Sequence, residues 1–520
     1  MKNIFKKSYY SNRFIWIIIL IGLSLRLHQY FLNHTLWLDE AFIAINIIRS
    51  NYLDLLFPLK YYNQAAPIVF LLVTKFITKL WGISEYAFRF FSLISGIGSV
   101  IIAYFLGKKF LDKKALPLFL LLMAFSRYGI YYSSELKQYS LELLVTIIIL
   151  IFSINIYNSN YNLKTCLITG ILGGFLVFCS YTAAFILTGT WLALFVSCFI
   201  KKKEIKEKNI SQKNIIYLIL SGTIWLISFI SNYLLFVKKS ATPVFYQYWK
   251  VLDSFPPFPP KTTGEFLWYP KTFLNLIKDP LGLAFHLSNI NKIPFFIIVI
   301  QYIVVILLII IGTYNLVKTK QWFKTLLIYL PVTVVLLVAL LGYYPLYGRL
   351  ELFILPIVYL LIAEGGFALI YLLKKKWKLI GILILIYLFS FPIFYGIYNI
   401  IKPDIRHETK PVIEYYLANR KPEDLIYIYT PTSEEPVFIY YTQYYYKNQL
   451  KNQIQIDKDF DKNRNKYLSE LMLKTKDKGL WIIFPFKTEQ EQEILDFLNA
   501  RFKKDKEYKS AASIYYFTIK

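Results

Sequence analysis

The chain has 520 residues, of which 56% are hydrophobic and 19% aromatic, and its formal net charge is +27. Recurrent long apolar runs exclude an ordinary soluble protein. They predict a polytopic α-helical membrane protein, because about 20 helical residues cross the hydrocarbon core of a bilayer. Most of the excess Lys and Arg lies in short segments between those runs. Such a distribution is typical of orientation signals, so the positive charge does not indicate a nucleic-acid partner.

Eleven membrane spans are predicted, at residues 14–32, 87–107, 114–131, 139–157, 165–181, 182–200, 214–236, 293–316, 323–341, 352–372 and 379–398. A further apolar stretch, 65–81, is shorter and carries Lys75 and Lys79 on one helical face. We predict that it lies along the membrane surface as an amphipathic helix. With that assignment the amino terminus and all the basic loops are cytoplasmic.

The predicted topology divides the chain into a membrane domain, 1–398, and an extracytoplasmic domain, 399–520. The membrane domain has two long outward loops. Interfacial helices are expected in the first, 33–86. The second, 237–292, contains the run SFPPFPPKTTGEF, whose prolines predict a flexible segment. The tail after residue 398 alternates short β-like runs with helical stretches, which predicts a small soluble α/β domain.

Acidic and basic side chains recur in the predicted outward loops. Asp39 and Glu40 open a helical segment in LWLDEAFIA, where carboxylates either stabilise the helix amino terminus or act as a base. Other polar residues at the same membrane level are Gln64, Arg89, Glu135, Lys137, Tyr139, Tyr347 and Arg349. Each could be an interface anchor. Together they favour a site for a phosphate at the bilayer surface, since Arg and Lys bind phosphate and carboxylates serve a base or a divalent metal.

Several short motifs resemble those of the GT-C superfamily of integral-membrane glycosyltransferases. They are the DE pair after the first span, WGISEYAFR, the short loop SSELKQYS, and YGR shortly before LP. The sequence is most similar to the branch that contains protein O-mannosyltransferases and lipid A aminoarabinose transferases (glycosyltransferase family 39-like), over roughly residues 14–400. Two features depart from that pattern. The residues before Pro67 are NQAA, without a histidine or a charge, and the tail is not a β-trefoil, which predicts a bacterial enzyme with a different acceptor.

The resemblance implies an inverting glycosyltransferase with a GT-C type fold. Such an enzyme moves a sugar from a polyprenyl-phosphate donor to a lipid, protein or polysaccharide acceptor at the outer face of the cytoplasmic membrane. Asp39 would be the catalytic base, with Glu40 as its catalytic neighbour. The donor phosphate would be bound by Arg89, Lys137, Arg349 and Tyr347, supported by Glu135, Tyr139 and Gln64. The resemblance implies no definite cofactor and leaves a divalent metal ion open, for which Asp39 and Glu135 would be the ligands.

Two other functions stay open from the sequence. A polysaccharide polymerase or ligase that uses diphosphate-linked donors would share an outward site. A lipid or oligosaccharide transporter could have a similar number of spans. The odd number of predicted spans, and carboxylates that lie in loops instead of at mid-membrane, favour a transferase over a transporter.

Two charged residues inside predicted spans are interpreted as structural. Arg26 lies near the outward end of the first span, where its side chain could snorkel to the interface. Glu364 lies well inside the span 352–372 and is expected to pair with a hydroxyl or basic group between helices.

Overall fold

The computed structural model describes residues 12–204, 212–240, 242–285, 294–403, 408–422, 424–429, 435–447, 454–457, 479–484, 489–509 and 512–519. Most of the basic amino-terminal segment, the middle of the basic loop 201–213 and the end of the loop 237–292 lie outside the described residues. Within the described ranges, nine helices are long and apolar enough to cross a membrane. The predicted class, a polytopic α-helical membrane protein, is confirmed.

Ten α-helices occupy the first half of the described chain. They are α1 (Asn12–Phe31), α2 (Leu38–Arg49), α3 (Ile68–Trp81), α4 (Glu85–Phe110), α5 (Leu116–Ala124), α6 (Arg127–Tyr131), α7 (Tyr139–Asn158), α8 (Leu163–Cys179), α9 (Ala183–Glu204) and α10 (Gln212–Asn232). A π-helical turn, Tyr233–Val237, continues α10. With 17 residues, α8 is apolar but shorter than the nine candidate spans.

The second half of the described chain has ten more α-helices. They are α11 (Lys238–Ser240), α12 (Pro243–Val251), α13 (Thr263–Lys278), α14 (Phe295–Lys318), α15 (Trp322–Leu340), α16 (Leu355–Leu372), α17 (Lys378–Ile401), α18 (Thr409–Asn419), α19 (Glu435–Ile439) and α20 (Glu489–Asn499). A 3-10 segment, Gly348–Ile354, leads directly into α16.

The predicted span 114–131 is not one helix. The chain leaves the helical path between α5 and α6, and the Ser126 hydroxyl accepts a hydrogen bond from the Gly129 amide at 3.2 Å to begin α6. A helix of nine residues such as α5 rises only about 14 Å, less than half of the hydrocarbon core. The prediction of a continuous span here was therefore wrong.

Arg26 explains how this break is tolerated. Its guanidinium donates to the carbonyls of Met123 and Ala124 at 3.0 and 3.2 Å, at the end of α5. The last carbonyls of a helix lack intrahelical partners, and a buried donor satisfies them. Since Arg26 is fully buried, the interpretation of it as a snorkelling side chain was wrong.

Close backbone packing joins α14 to α16. A Cβ atom placed on Gly365 would lie 1.9 Å from the Leu308 carbonyl oxygen, so only glycine permits this approach. Beside it, the Asn315 amide donates to Glu364 Oε1 at 2.7 Å. Glu364 therefore pairs between helices as expected, although its partner is an amide and not a hydroxyl or a base.

The two long loops both contain helices. In the first, α3 has 14 residues and rises about 21 Å, shorter than a bilayer core. The Lys75 ammonium donates to the Ile47 carbonyl at 2.8 Å and so joins α3 to α2. The second loop differs from the flexible segment that was predicted. The Thr262 hydroxyl caps α13 directly after the prolines, and the Trp268 indole donates to the Asp253 carbonyl at 2.8 Å.

The tail forms a five-stranded mixed sheet. Its strands are β1 (Leu425–Tyr429), β2 (Ile454–Asp457), β3 (Leu480–Phe484), β4 (Phe502–Lys509) and β5 (Ser513–Ile519). The strand order is β2-β1-β3-β5-β4. β1 pairs in parallel with β2 and β3, whereas β5 is antiparallel to β3 and β4. The predicted small α/β unit at the carboxyl end of the chain is confirmed.

We expect Gly365→Ala to destabilise the protein by about 1–3 kcal/mol, because its new methyl group forces α14 and α16 apart. Gly264→Ala is the matched control, since the nearest atom to its Cβ would be 3.9 Å away. Thermal unfolding of the purified proteins in detergent measures the difference. Equal midpoints for the two variants would contradict the packing described here.

Candidate functional site

The first turn of α2 carries both carboxylates of the DE pair. Trp37 precedes the helix with an extended backbone, and its amide donates to Glu40 Oε2 at 3.2 Å. This bond satisfies an amide at the helix amino terminus. The two side chains have different surroundings, because that of Glu40 is fully buried and that of Asp39 is 17% exposed.

Glu40 forms a buried ion pair with Arg89 of α4. The Arg89 Nε and Nη2 atoms donate to the two carboxylate oxygens at 2.8 and 2.6 Å. Glu40 Oε1 also accepts from the Leu136 amide at 2.7 Å. The remaining Arg89 nitrogen, Nη1, donates to the His34 carbonyl at 2.7 Å. The pair therefore holds α2, α4 and the 132–138 segment together, and the structure does not present Arg89 to a phosphate as the sequence predicts.

Asp39 faces two other cations. Its Oδ2 atom lies 2.7 Å from Arg349 Nη2 and 4.0 Å from Lys137 Nζ. Arg349 comes from the 3-10 segment before α16, and its side chain is 19% exposed. The buried Arg349 Nε has no hydrogen-bond partner among the described residues. The side chains of Asp39, Lys137 and Arg349, which come from separate loops, are thus brought together. The Arg349 Nε donor remains available to a ligand.

Lys137 lies deeper in the site than Arg349. Its ammonium donates to Gln64 Oε1 at 3.1 Å, which places Gln64 beside the cations as well. Burial lowers the pKa of the Lys137 ammonium below its ordinary value; Asp39 opposes this shift and Arg349 adds to it. The charge on Lys137 is therefore more easily lost than that of an exposed lysine.

Trp37 contributes to the site although the sequence analysis does not single it out. Its indole N–H donates to Glu135 Oε2, and the Arg349 guanidinium lies 5.3 Å from the centre of its ring. This is within the range of a cation–π contact. An indole two residues before the DE pair, in the same loop, is the signal that could have identified it.

The two predicted site tyrosines differ in exposure. Tyr139, the first residue of α7, is buried, with its ring 5.0 Å from that of Tyr132. Tyr347 is 45% exposed and lies beside the Trp249 ring. Tyr139 is therefore a buried neighbour of Arg349 and Asp39, while Tyr347 is open to a ligand.

The charges around Asp39 do not fit a divalent metal. Within the described ranges, no group of three or more His, Cys, Asp or Glu side chains is placed to hold a metal ion. Asp39 already faces Arg349 and Lys137, and Glu135 accepts from Trp37. Two cations beside a carboxylate repel a third.

The tail reaches the segment just before α2. The fully buried Tyr441 hydroxyl, in the π-helical turn Tyr440–Tyr445, accepts from the Leu36 amide at 2.8 Å and donates to Glu85 Oε1 at 3.0 Å. The Lys410 ammonium lies 3.3 Å from the same carboxylate oxygen. Residues near the carboxyl end thus hold the loop that carries Asp39.

The arrangement of helices is similar to that of two kinds of solved membrane enzyme. The solved structure of ArnT from Cupriavidus metallidurans in the apo state matches with a TM-score of 0.54 and 10% identity, covering 98% of both chains. The apo oligosaccharyltransferase from Archaeoglobus fulgidus matches with a TM-score of 0.52 and 11% identity, covering 99% of this chain and 75% of that one. At such identities the likeness shows the fold.

Residues 65–234, about a third of the chain, match the family described as dolichyl-phosphate-mannose-protein mannosyltransferase. No curated protein matches the sequence. ArnT from Cupriavidus metallidurans bound to undecaprenyl phosphate also has this fold, with a TM-score of 0.51 and 9% identity over 97% of this chain and 98% of that one. The resemblance to GT-C glycosyltransferases is confirmed.

We expect Arg89→Met to destabilise the protein by about 3–5 kcal/mol, because it leaves the fully buried Glu40 carboxylate without its cation. Arg13→Met removes the same charge from an exposed position in α1 and is the control. Thermal unfolding in detergent compares the two. A loss no larger than that of the control would show that the pair does not hold the site together.

Proposed function

We propose that the protein is an inverting glycosyltransferase that moves a sugar from a polyprenyl-phosphate donor to an acceptor hydroxyl. The reaction would take place at the outer face of a bacterial cytoplasmic membrane, with the amino terminus cytoplasmic. The observation that carries the proposal is the contact of the partly exposed Asp39 with Arg349 and Lys137. A base and two cations, next to candidate membrane spans, are the groups that transfer from a lipid phosphate requires.

Arg349 and Lys137 are assigned to the donor phosphate. Both side chains place a positive charge beside the same carboxylate, and the Arg349 Nε atom has no hydrogen-bond partner within the described ranges. Cations placed beside a leaving phosphate stabilise the negative charge that builds up on it in the transition state. The structure of ArnT with undecaprenyl phosphate supports a lipid phosphate as the ligand class. The exposed Tyr347 would border the same space.

Asp39 is assigned as the general base. The acceptor hydroxyl gives its proton to the carboxylate while its oxygen bonds to the anomeric carbon from the face opposite the phosphate. The bond from that carbon to the phosphate oxygen breaks, and polyprenyl phosphate leaves. Before the donor binds, Arg349 and Lys137 neutralise Asp39. A bound phosphate would share those cations with the Asp39 carboxylate.

Glu40 and Arg89 are reassigned as positioning residues. Neither side chain is open to a substrate, because Glu40 is fully buried and Arg89 is 3% exposed. Their ion pair fixes the first turn of α2, so the adjacent Asp39 is held toward the cations. Asp39 is the acid of the DE pair that can meet an acceptor.

Asp39→Asn is expected to abolish transfer and to leave the protein folded, because the amide keeps the shape of the side chain but cannot take a proton. Asp54→Asn is the matched control, a carboxylate of the same loop paired with the exposed Lys60. The measurement is release of polyprenyl phosphate from a radiolabelled polyprenyl-phosphate sugar in liposomes, with membrane lipids, proteins and wall fragments as acceptors.

Release by wild type and by the Asp54 variant, without release by the Asp39 variant, supports both the donor class and the base. The labelled product then identifies the acceptor. Equal release by all three proteins would remove Asp39 from the chemistry. A parallel assay with a radiolabelled polyprenyl-diphosphate sugar tests the alternative, and release from that donor alone would favour a polymerase or ligase.

The KM for the donor is expected to rise with pH as Lys137 loses its proton, since burial lowers the pKa of this ammonium. Lys137→Gln should give a high KM that no longer depends on pH in that range. Lys75→Gln is the control, because burial also lowers the pKa of Lys75 while its ammonium bonds to Ile47, away from Asp39. An unchanged pH profile in Lys137→Gln would exclude Lys137 from donor binding.

A further inference from the structure

A cavity of about 300 Å³ lies at the end of the bundle opposite the candidate site. It is bordered by the ends of α4 and α7, by α9 and by the turn between α14 and α15. Its polar lining includes Lys109, Asn158, Ser197, Lys320, Gln321 and Lys324. Lys109 follows Arg89 by 20 residues along α4, so the two ends are about 30 Å apart, the thickness of a bilayer core.

The cavity is strongly basic. Lys109 lies at the end of α4, whereas Lys320 and Lys324 lie in the turn before α15 and in its first turn, and all three line one space. In the part of the chain that the structure describes, none of them forms an ion pair. Glu364 of the neighbouring helix α16 and Asp112 attract the Lys324 ammonium, but neither acid lines the cavity. Three like charges around one space repel one another, and an anion between them relieves that repulsion.

Two further features match an anion that carries an apolar tail. The first turn of α15 borders the cavity, and its free amides favour negative charge. The rest of the wall is apolar or aromatic, with Phe110, Ile154 and the closely stacked rings of Tyr157 and Phe323. A cavity lined by lysines on one side and by apolar side chains on the other suits a phosphate attached to a lipid better than a free, fully hydrated ion.

We propose that this cavity binds the phosphate of an anionic phospholipid headgroup. Basic pockets between membrane helices bind such headgroups. Orientation of the chain requires only that the loops be basic, and it does not require lysines from separate segments to line one cavity. The proposal is independent of the transferase chemistry, because the cavity and Asp39 lie at opposite ends of the bundle.

The test is saturable stabilisation of delipidated protein in neutral detergent. The thermal midpoint is followed as phosphatidylglycerol, phosphatidylcholine or inorganic phosphate is added. The triple variant Lys109→Gln/Lys320→Gln/Lys324→Gln is expected to bind phosphatidylglycerol at least about tenfold more weakly than wild type. Lys374→Gln/Lys375→Gln/Lys376→Gln removes the same charge from exposed positions between α16 and α17 and is the control.

Stabilisation by phosphatidylglycerol that only the cavity variant loses supports the proposal with a lipid as the source. If inorganic phosphate gives the same pattern, the cavity binds a phosphate but the source is soluble. Equal weakening in the two triple variants, or in neither, overturns the proposal. Midpoints without lipid show whether each variant is folded, and native mass spectrometry counts the lipid retained by variants that are less stable.

Discussion

The buried ion pair of Glu40 and Arg89 is the constraint on which the site depends. A carboxylate with no exposure is tolerated only if its charge is paired and its oxygens are hydrogen-bonded, and Glu40 meets both conditions with Arg89, Leu136 and Trp37. These partners lie on separate segments of the chain. One side chain therefore sets the positions of α2, of the start of α4 and of the 132–138 segment. The direction of the neighbouring Asp39 follows from that arrangement.

Asp39 and Glu40 are adjacent in the sequence but have different roles in the structure. Successive helical residues point in directions about 100° apart, so a helix that buries Glu40 turns Asp39 to another side. There Asp39 meets Arg349 and Lys137 and keeps some exposure. Glu40 therefore holds the structure together through its ion pair with Arg89, while Asp39 stays available for the proposed chemistry.

Features encoded by local pattern could be predicted from the sequence, while those that depend on distant partners could not. Long apolar runs identify membrane helices because every turn repeats the signal. The break between α5 and α6 is stabilised by Arg26, about 100 residues earlier, so no pattern within 114–131 reveals it. Likewise, the sequence shows that Asp39, Arg89 and Lys137 are charged but not which carboxylate Arg89 meets. Tyr441 is one of many tyrosines in YYTQYYY, and only its contacts distinguish it.

The Tyr441 contact has a consequence for the synthesis of the protein. A ribosome completes the membrane helices before it reaches the tail, and domains generally fold in that order. During this interval the Leu36 amide and the Glu85 carboxylate lack the hydroxyl that later joins them. The loop that carries Asp39 therefore receives this support only after the membrane helices and the segment up to Tyr441 have been made. A nascent chain that has its membrane helices but not Tyr441 would hold Asp39 by the Glu40–Arg89 pair and without the support of the tail.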